Sequence, residues 1–194
     1  MRNKFLAIFL LFITISFSGA INLKGPGDKV DDFTLKGVDD KEYNLSTALT
    51  NSNYVVVMFW STECPFVQPY TDRINSIVSE FGSKGFAFWG INSNNTESIE
   101  IVKSHAEEKE YPFPMLKDVK NSVADMLGAT RTPEVFLIDK NRTILYHGRI
   151  DDSRDADKVT SNDLKNALEE VTAGKEVSVN NTKSFGCTIK RAEN

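Results

Sequence analysis

The chain is poor in cysteine and histidine. Its 194 residues include two of each, too few for a structural zinc set, and His105 and His147 lie far apart with no ligand spacing. Neither a metal nor another cofactor is expected. Basic residues are not in excess: 23 Lys and Arg stand against 27 Asp and Glu, for a formal charge of −4. They are scattered rather than striped, so no nucleic-acid partner is expected. "GPGD" near the start has no phosphate-cradling or dinucleotide pattern, and no Ser-His-Asp set stands out. After the first twenty residues no apolar run approaches the roughly 20 residues of a membrane span. There is no internal repeat. What remains, with 40% hydrophobic and 26% charged residues, is the composition of one globular domain with a normal core.

The N-terminus is a separate matter. "MRNKFLAIFLLFITISFSGA" has Arg2 and Lys4, an apolar stretch over 5–17, then Ser18, Gly19 and Ala20. This is the pattern of a secretory signal, expected over 1–20, with an uncleaved anchor as the alternative. No cysteine follows the apolar stretch, which argues against a lipid anchor. The expected location is periplasmic or secreted, and no stable membrane span is expected once the signal is cleaved. The domain is expected over 21–175 and a polar tail over 176–194. "NNT" at 180–182 is a glycosylation acceptor if the source modifies exported proteins.

Hydrophobic patterning places the elements. Short β-like runs at 33–35 and 42–44, separated by turn residues, read as a hairpin. "YVVVMFW" over 54–60 and "FAFWGIN" over 86–92 are unbroken apolar runs, hence strands buried on both faces. Between them Phe66, Tyr70, Ile74, Ile77, Val78 and Phe81 keep helical spacing. Pro65 suits a first helical turn, and Pro69 loosens the second. Thr96 reads as the cap of a helix with Glu97 and Glu100 at its positive end. A short helix over 122–127, strands over 135–138 and 143–150, and a last helix capped by Thr160 or Ser161 complete the pattern. Asp151 and Asp152 read as turn residues. The fold class is α/β: a mixed central sheet sandwiched by helices, with an N-terminal β-hairpin extension and an irregular C-terminal tail carrying Cys187.

Cys64 follows the first buried strand and opens the helix. Unpaired N–H groups and the macrodipole at such a place favour a thiolate, the reactive form. Ser61 and Thr62 add hydroxyls; Glu63 opposes if it faces the sulfur. The alternatives are a small buried hydrophobe or half of a disulfide, the default for two cysteines in an oxidising compartment.

"VVVMFWSTECPFV" resembles the active-site segment of thioredoxins, with Cys64 on the first cysteine of Cys-x-x-Cys and Val67 on the second. Thr132-Pro133 resembles the Thr-cis-Pro loop of that fold. "YPFPMLKD", "RIDDSRDADKVTSNDLKNALEEVTAGKEV" and "SFGCTIK" extend the similarity to the peroxiredoxin-like redoxins of the alkyl hydroperoxide reductase and thiol-specific antioxidant superfamily, from about residue 27 to about residue 190. The resemblance implies a thioredoxin-like fold and a thiol oxidoreductase or antioxidant. It implies Cys64 as peroxidatic-type nucleophile, Ser61, Thr62 and Arg131 as activators, and Trp60, Thr132 and Pro133 along a substrate groove. A peroxide or a protein thiol or disulfide would be the substrate and an external thiol the reductant. The departures are specific. Ser61 stands for the threonine of the Pro-x-x-x-Thr-x-x-Cys motif, Val57 for its proline, and Arg131 for a cysteine that many relatives carry before Thr-Pro.

Val67 removes the local dithiol cycle and leaves three outcomes. Cys64 forms a sulfenic acid that Cys187, 123 residues away, resolves. Or Cys64 and Cys187 form a permanent staple in a non-catalytic domain. Or Cys64 makes mixed disulfides with other exported proteins and Cys187 is incidental.

Overall fold

A computed structural model describes residues 23–191. The signal expected over 1–20 lies outside the described residues. No helix among the described residues is long and apolar enough to cross a membrane.

The centre is β3 (Tyr54–Phe59), parallel to β4 (Phe86–Asn92) and antiparallel to β7 (Glu134–Asp139). Both runs expected to be doubly buried are central strands, because alternate side chains fill two separate cores. Val56, Met58 and Trp60 face one side with Leu137, Phe88, Ile74, Phe81 and Leu168. Val55, Val57 and Phe59 face the other with Phe136, Ile91, Leu45 and Leu127. Burying each such side chain contributes about 1.5–3 kcal/mol.

Around this pair the sheet grows to seven strands in the order β2-β1-β5-β4-β3-β7-β8. The hairpin of β1 (Thr34–Gly37) and β2 (Glu42–Asn44) is its edge, joined through antiparallel pairing of β1 with β5 (Met115–Lys117). Hairpin strand β8 (Ile144–Gly148) closes the other edge. Helices α2 (Thr71–Phe81), α3 (Ile99–Glu108) and α5 (Asp163–Thr172) supply residues to the first core, and α1 (Leu45–Asn51) and α4 (Ser122–Leu127) to the second. This is the thioredoxin-like α/β arrangement.

Several local expectations change. Helix α1 has no counterpart in the sequence reading: seven residues rich in Thr and Ser bury only Leu45 and Leu49. The cap of α3 is Ser98, whose side chain accepts from the Ile101 N–H at 3.3 Å, not Thr96. Helix α5 begins after Asn162 rather than at Thr160 or Ser161, and Asp152 takes the Thr160 N–H instead. The long helix expected from residue 65 becomes a turn and a 3-10 segment, Gln68–Tyr70, before regular α-helix begins at Thr71. Pro69 has no N–H to donate four residues back, which breaks the α pattern there.

The described part of the tail is mostly irregular, as expected, but it contains one short strand. Strand β9 (Cys187–Thr188) pairs antiparallel with β6 (Arg131–Thr132), a two-stranded sheet beside the main one.

Candidate active site

The carboxyl ends of β3 and β4 build the site from below. Trp60 continues β3 by one residue, its N–H donating to the Ile91 carbonyl at 2.9 Å. Its indole N–H donates to the Tyr111 hydroxyl at 2.9 Å, and its ring packs edge-on against Tyr111 and Phe113. Trp60 is fully buried. The groove position expected for it is therefore corrected: it is a core residue in the same cluster as Cys64, because an indole this large gains most by complete burial with its N–H satisfied.

Ser61 and Thr62 turn inward onto a residue that the sequence reading placed on a helix dipole. The buried carboxylate of Glu97 accepts from Ser61 Oγ at 2.6 Å, from Thr62 N at 2.7 Å and from Thr62 Oγ1 at 2.6 Å. It also accepts from Asn92 Nδ2 at 2.7 Å and from Asn94 Nδ2. Burial alone would push the Glu97 carboxyl up; the bonds from Asn94, Ser61 and Thr62 outweigh it and hold it below the usual carboxylate range. Below this cluster the buried Lys117 ammonium donates to Asn92 Oδ1 and the Asn94 carbonyl, both at 2.6 Å. Burial lowers its pKa, and Glu97 and Asp118 pull it back up. The hydroxyl protons of Ser61 and Thr62 are thus committed to Glu97 rather than aimed at sulfur.

Cys64 follows, nearly fully buried, and is joined to Cys187 by a disulfide with Cα atoms 5.9 Å apart. Six residues lie between it and the first residue of α2, so the helix-terminal stabilisation expected for its thiolate is not delivered by a regular helix. The neighbour at its sulfur is the Thr132 carbonyl oxygen, 3.3 Å away. Glu63 faces away and pairs with Lys190 at 2.9 Å.

The Thr132-Pro133 peptide is cis, as the resemblance implied, and both residues are buried. Glu134 fixes the loop that carries it. Its buried carboxylate accepts the Thr130 and Arg131 N–H groups, each at 2.8 Å, and its other oxygen meets His147 Nε2 at 2.6 Å. Arg131 is exposed and donates to the Gly186 carbonyl at 3.2 Å. The structure thus brings Cys64, Cys187, Thr132 and Pro133 together and turns Arg131 outward onto the tail.

Cys187 is held along its own backbone. It stands opposite Thr132, and Thr188 opposite Arg131. The Ile189 N–H donates to the Thr130 carbonyl at 3.0 Å, and the Lys190 N–H to Asn94 Oδ1 at 2.8 Å. Gly186 has φ +147°, and a Cβ there would lie 2.8 Å from the Thr132 carbonyl carbon and clash harder with its oxygen; only glycine lets the two backbones approach so closely. The sequence reading missed Glu97, Asn94 and Glu134. The one signal available was a run of polar residues, "NSNNTE", directly after a buried strand. Among the described residues no cluster of His, Cys, Asp and Glu could hold a metal ion.

Known proteins share this architecture. A hypothetical protein from Sinorhizobium meliloti 1021 is 33% identical, with a TM-score of 0.81 over 89% of this chain and 98% of that one. Thiol-disulfide oxidoreductase ResA of Geobacillus thermodenitrificans is 26% identical over 59% of this chain, and the match spans 64% of that protein's length. Thioredoxin-like protein YneN of Bacillus subtilis is 24% identical over 74% of this chain and 88% of its own. The AhpC/TSA family pattern matches residues 26–147, the segment that holds the sheet, Cys64 and the cis-proline loop, and the chain therefore belongs to the AhpC/TSA family as a thiol-based redox protein.

Proposed function

We propose that the chain is an exported thiol–disulfide oxidoreductase that cycles between the Cys64–Cys187 disulfide and the dithiol. Cys64 is the nucleophile and Cys187 its resolving partner. The observation that carries this reading is the pairing of Cys187 with Thr132, beside the cis-proline and against the Cys64 sulfur. An otherwise irregular tail delivers the second thiol that position 67 lacks. Cys187 is partly exposed whereas Cys64 is buried, so an external thiolate reaches the pair from the Cys187 side. The name of the relative ResA supports exchange chemistry. Export rests on the N-terminal sequence.

Peroxide is the second oxidant in view, through a Cys64 sulfenic acid that Cys187 resolves with loss of water. It is the weaker reading because Ser61 and Thr62 spend their protons on Glu97, and Arg131 spends an N–H on Gly186. Those are the groups that would have activated a peroxide.

Titration of the oxidised protein against thiol–disulfide buffers tests the cycle. A midpoint above about −300 mV supports turnover, and one well below it returns the disulfide to a staple. Reduced protein mixed with one equivalent of either hydrogen peroxide or a disulfide-bonded protein then separates the oxidants. Faster re-oxidation by peroxide would overturn the exchange reading.

A further inference from the structure

Residues 186–191 lie on the protein as a bound peptide would. Their backbone pairs with the β6 edge at Thr132 and Arg131, donates to the Thr130 carbonyl, and is clasped at Lys190 by the Asn94 side chain and the Asn95 N–H, the latter at 2.9 Å. Each side chain meets a different environment. Position 186 admits no Cβ. The sulfur of 187 meets Cys64. Thr188 is exposed, whereas Ile189 is 3% exposed and enters the second core. The Lys190 ammonium reaches Glu63 at 2.9 Å, and the Arg191 guanidinium reaches Asp125 and the Ala129 carbonyl, each at 2.7 Å. Main-chain pairing gives affinity and alternate side-chain sites give selectivity, which is the physics of strand addition to a sheet edge.

We propose that this strip is the docking site for an extended, disulfide-bearing segment of a partner protein with the pattern Gly-Cys-x-aliphatic-basic, and that the chain's own tail occupies it between turnovers. The inference rests on the exchange reading and names its substrate class. When an external dithiol has reduced the pair, the tail lifts off. The Cys64 thiolate attacks the docked partner cysteine; the partner's S–S bond breaks and its other sulfur leaves as a thiolate that takes a proton from solvent. A mixed disulfide with Cys64 results. The tail then returns, the Cys187 thiolate attacks the Cys64 sulfur, and the partner's docked sulfur leaves as a second thiolate. Two electrons have passed from the dithiol to the partner disulfide. Tail and partner compete for the same hydrogen bonds, so resolution and product expulsion are one event.

The test uses the full-length Cys187→Ser variant and a peptide copying residues 184–191, its cysteine activated as a mixed disulfide with thionitrobenzoate. Release of the coloured thiolate reads the rate at Cys64. The parent peptide should react at least about tenfold faster than versions with valine in place of the glycine or aspartate in place of the isoleucine. In a Gly186→Val, Cys187→Ser double variant the protein's own tail no longer fits, and the parent peptide should gain a further several-fold. Equal rates for all peptides, with a small aromatic disulfide still reacting at Cys64, would overturn the strip while sparing the exchange reading. Failure of Cys64 to react with peptides and small disulfide alike would sink both. An unchanged rate in the double variant would overturn competition by the tail.

Discussion

The Lys190 N–H donates to the side-chain oxygen of Asn94 at 2.8 Å, across 96 positions of sequence. Asn94 gives its other end to Glu97 and, at 2.9 Å, to Ser61 Oγ. One buried amide therefore joins the tail that brings Cys187 to the loop that brings Cys64.

Replacing Asn94 should loosen the tail. Asn94→Ala leaves the Lys190 N–H and one Glu97 lone pair unmet, which costs about 1–3 kcal/mol. Urea unfolding measures that loss. A redox titration should show the Cys64–Cys187 pair easier to reduce, by a few tens of millivolts if the loss falls mostly on the docked tail. An unchanged potential alongside reduced stability would mean that Asn94 supports the loop alone.

Acid should weaken the same network. The Glu97 pKa is depressed in the folded protein, so its stabilising contribution is present above the ordinary carboxyl pKa of about 4.3 and is lost as pH falls through the folded value. Wild type should lose more stability than Glu97→Gln as pH is lowered from about 5 to about 3. Denaturant midpoints across that range measure it, and parallel curves would refute it.

Reduction should cost much of the fold's margin. In the chain-entropy model a crosslink closing a loop of 123 residues stabilises by about 4–5 kcal/mol. Cys64→Ser and Cys187→Ser should each approach the stability of the reduced wild type in guanidinium unfolding. Adding reductant should then shift wild type but neither variant.

Position 67 should still accept a cysteine. Val67 is buried and its N–H donates to the Cys64 carbonyl at 3.0 Å, a four-residue turn whose end-to-end Cα spacing under about 7 Å suits a disulfide. Val67→Cys in the Cys187→Ser background should restore one intramolecular disulfide, read by mass after thiol alkylation. Two free thiols under oxidising conditions would show that the turn holds the sulfurs apart.

What the sequence revealed tracks how each feature is encoded. Strands β3 and β4 announce themselves because uninterrupted apolar runs have few alternatives once buried, and helix α4 through the capping-box-like spacing of Ser122 and Asp125. The cis-proline loop and Cys64 came from local motifs. Glu97 was misplaced because a polar loop has no period, and its partners Ser61 and Thr62 lie some 35 positions away. Trp60 was set in a groove because aromatic type alone does not tell core from groove wall. Strand β9, two residues long, is too short for any alternation to show. The outward turn of Arg131 depends on that strand, so it was equally hidden.

The disulfide also makes residues 64 through 187 one covalent ring that holds every element from α2 to α5 and leaves β1, β2, α1 and β3 outside. A protease that cuts a loop within the ring separates no fragment: the nicked molecule keeps one mass, heavier by a single water, until a thiol opens the ring and the pieces part. Oxidation state thus decides whether damage to this protein is retained or shed.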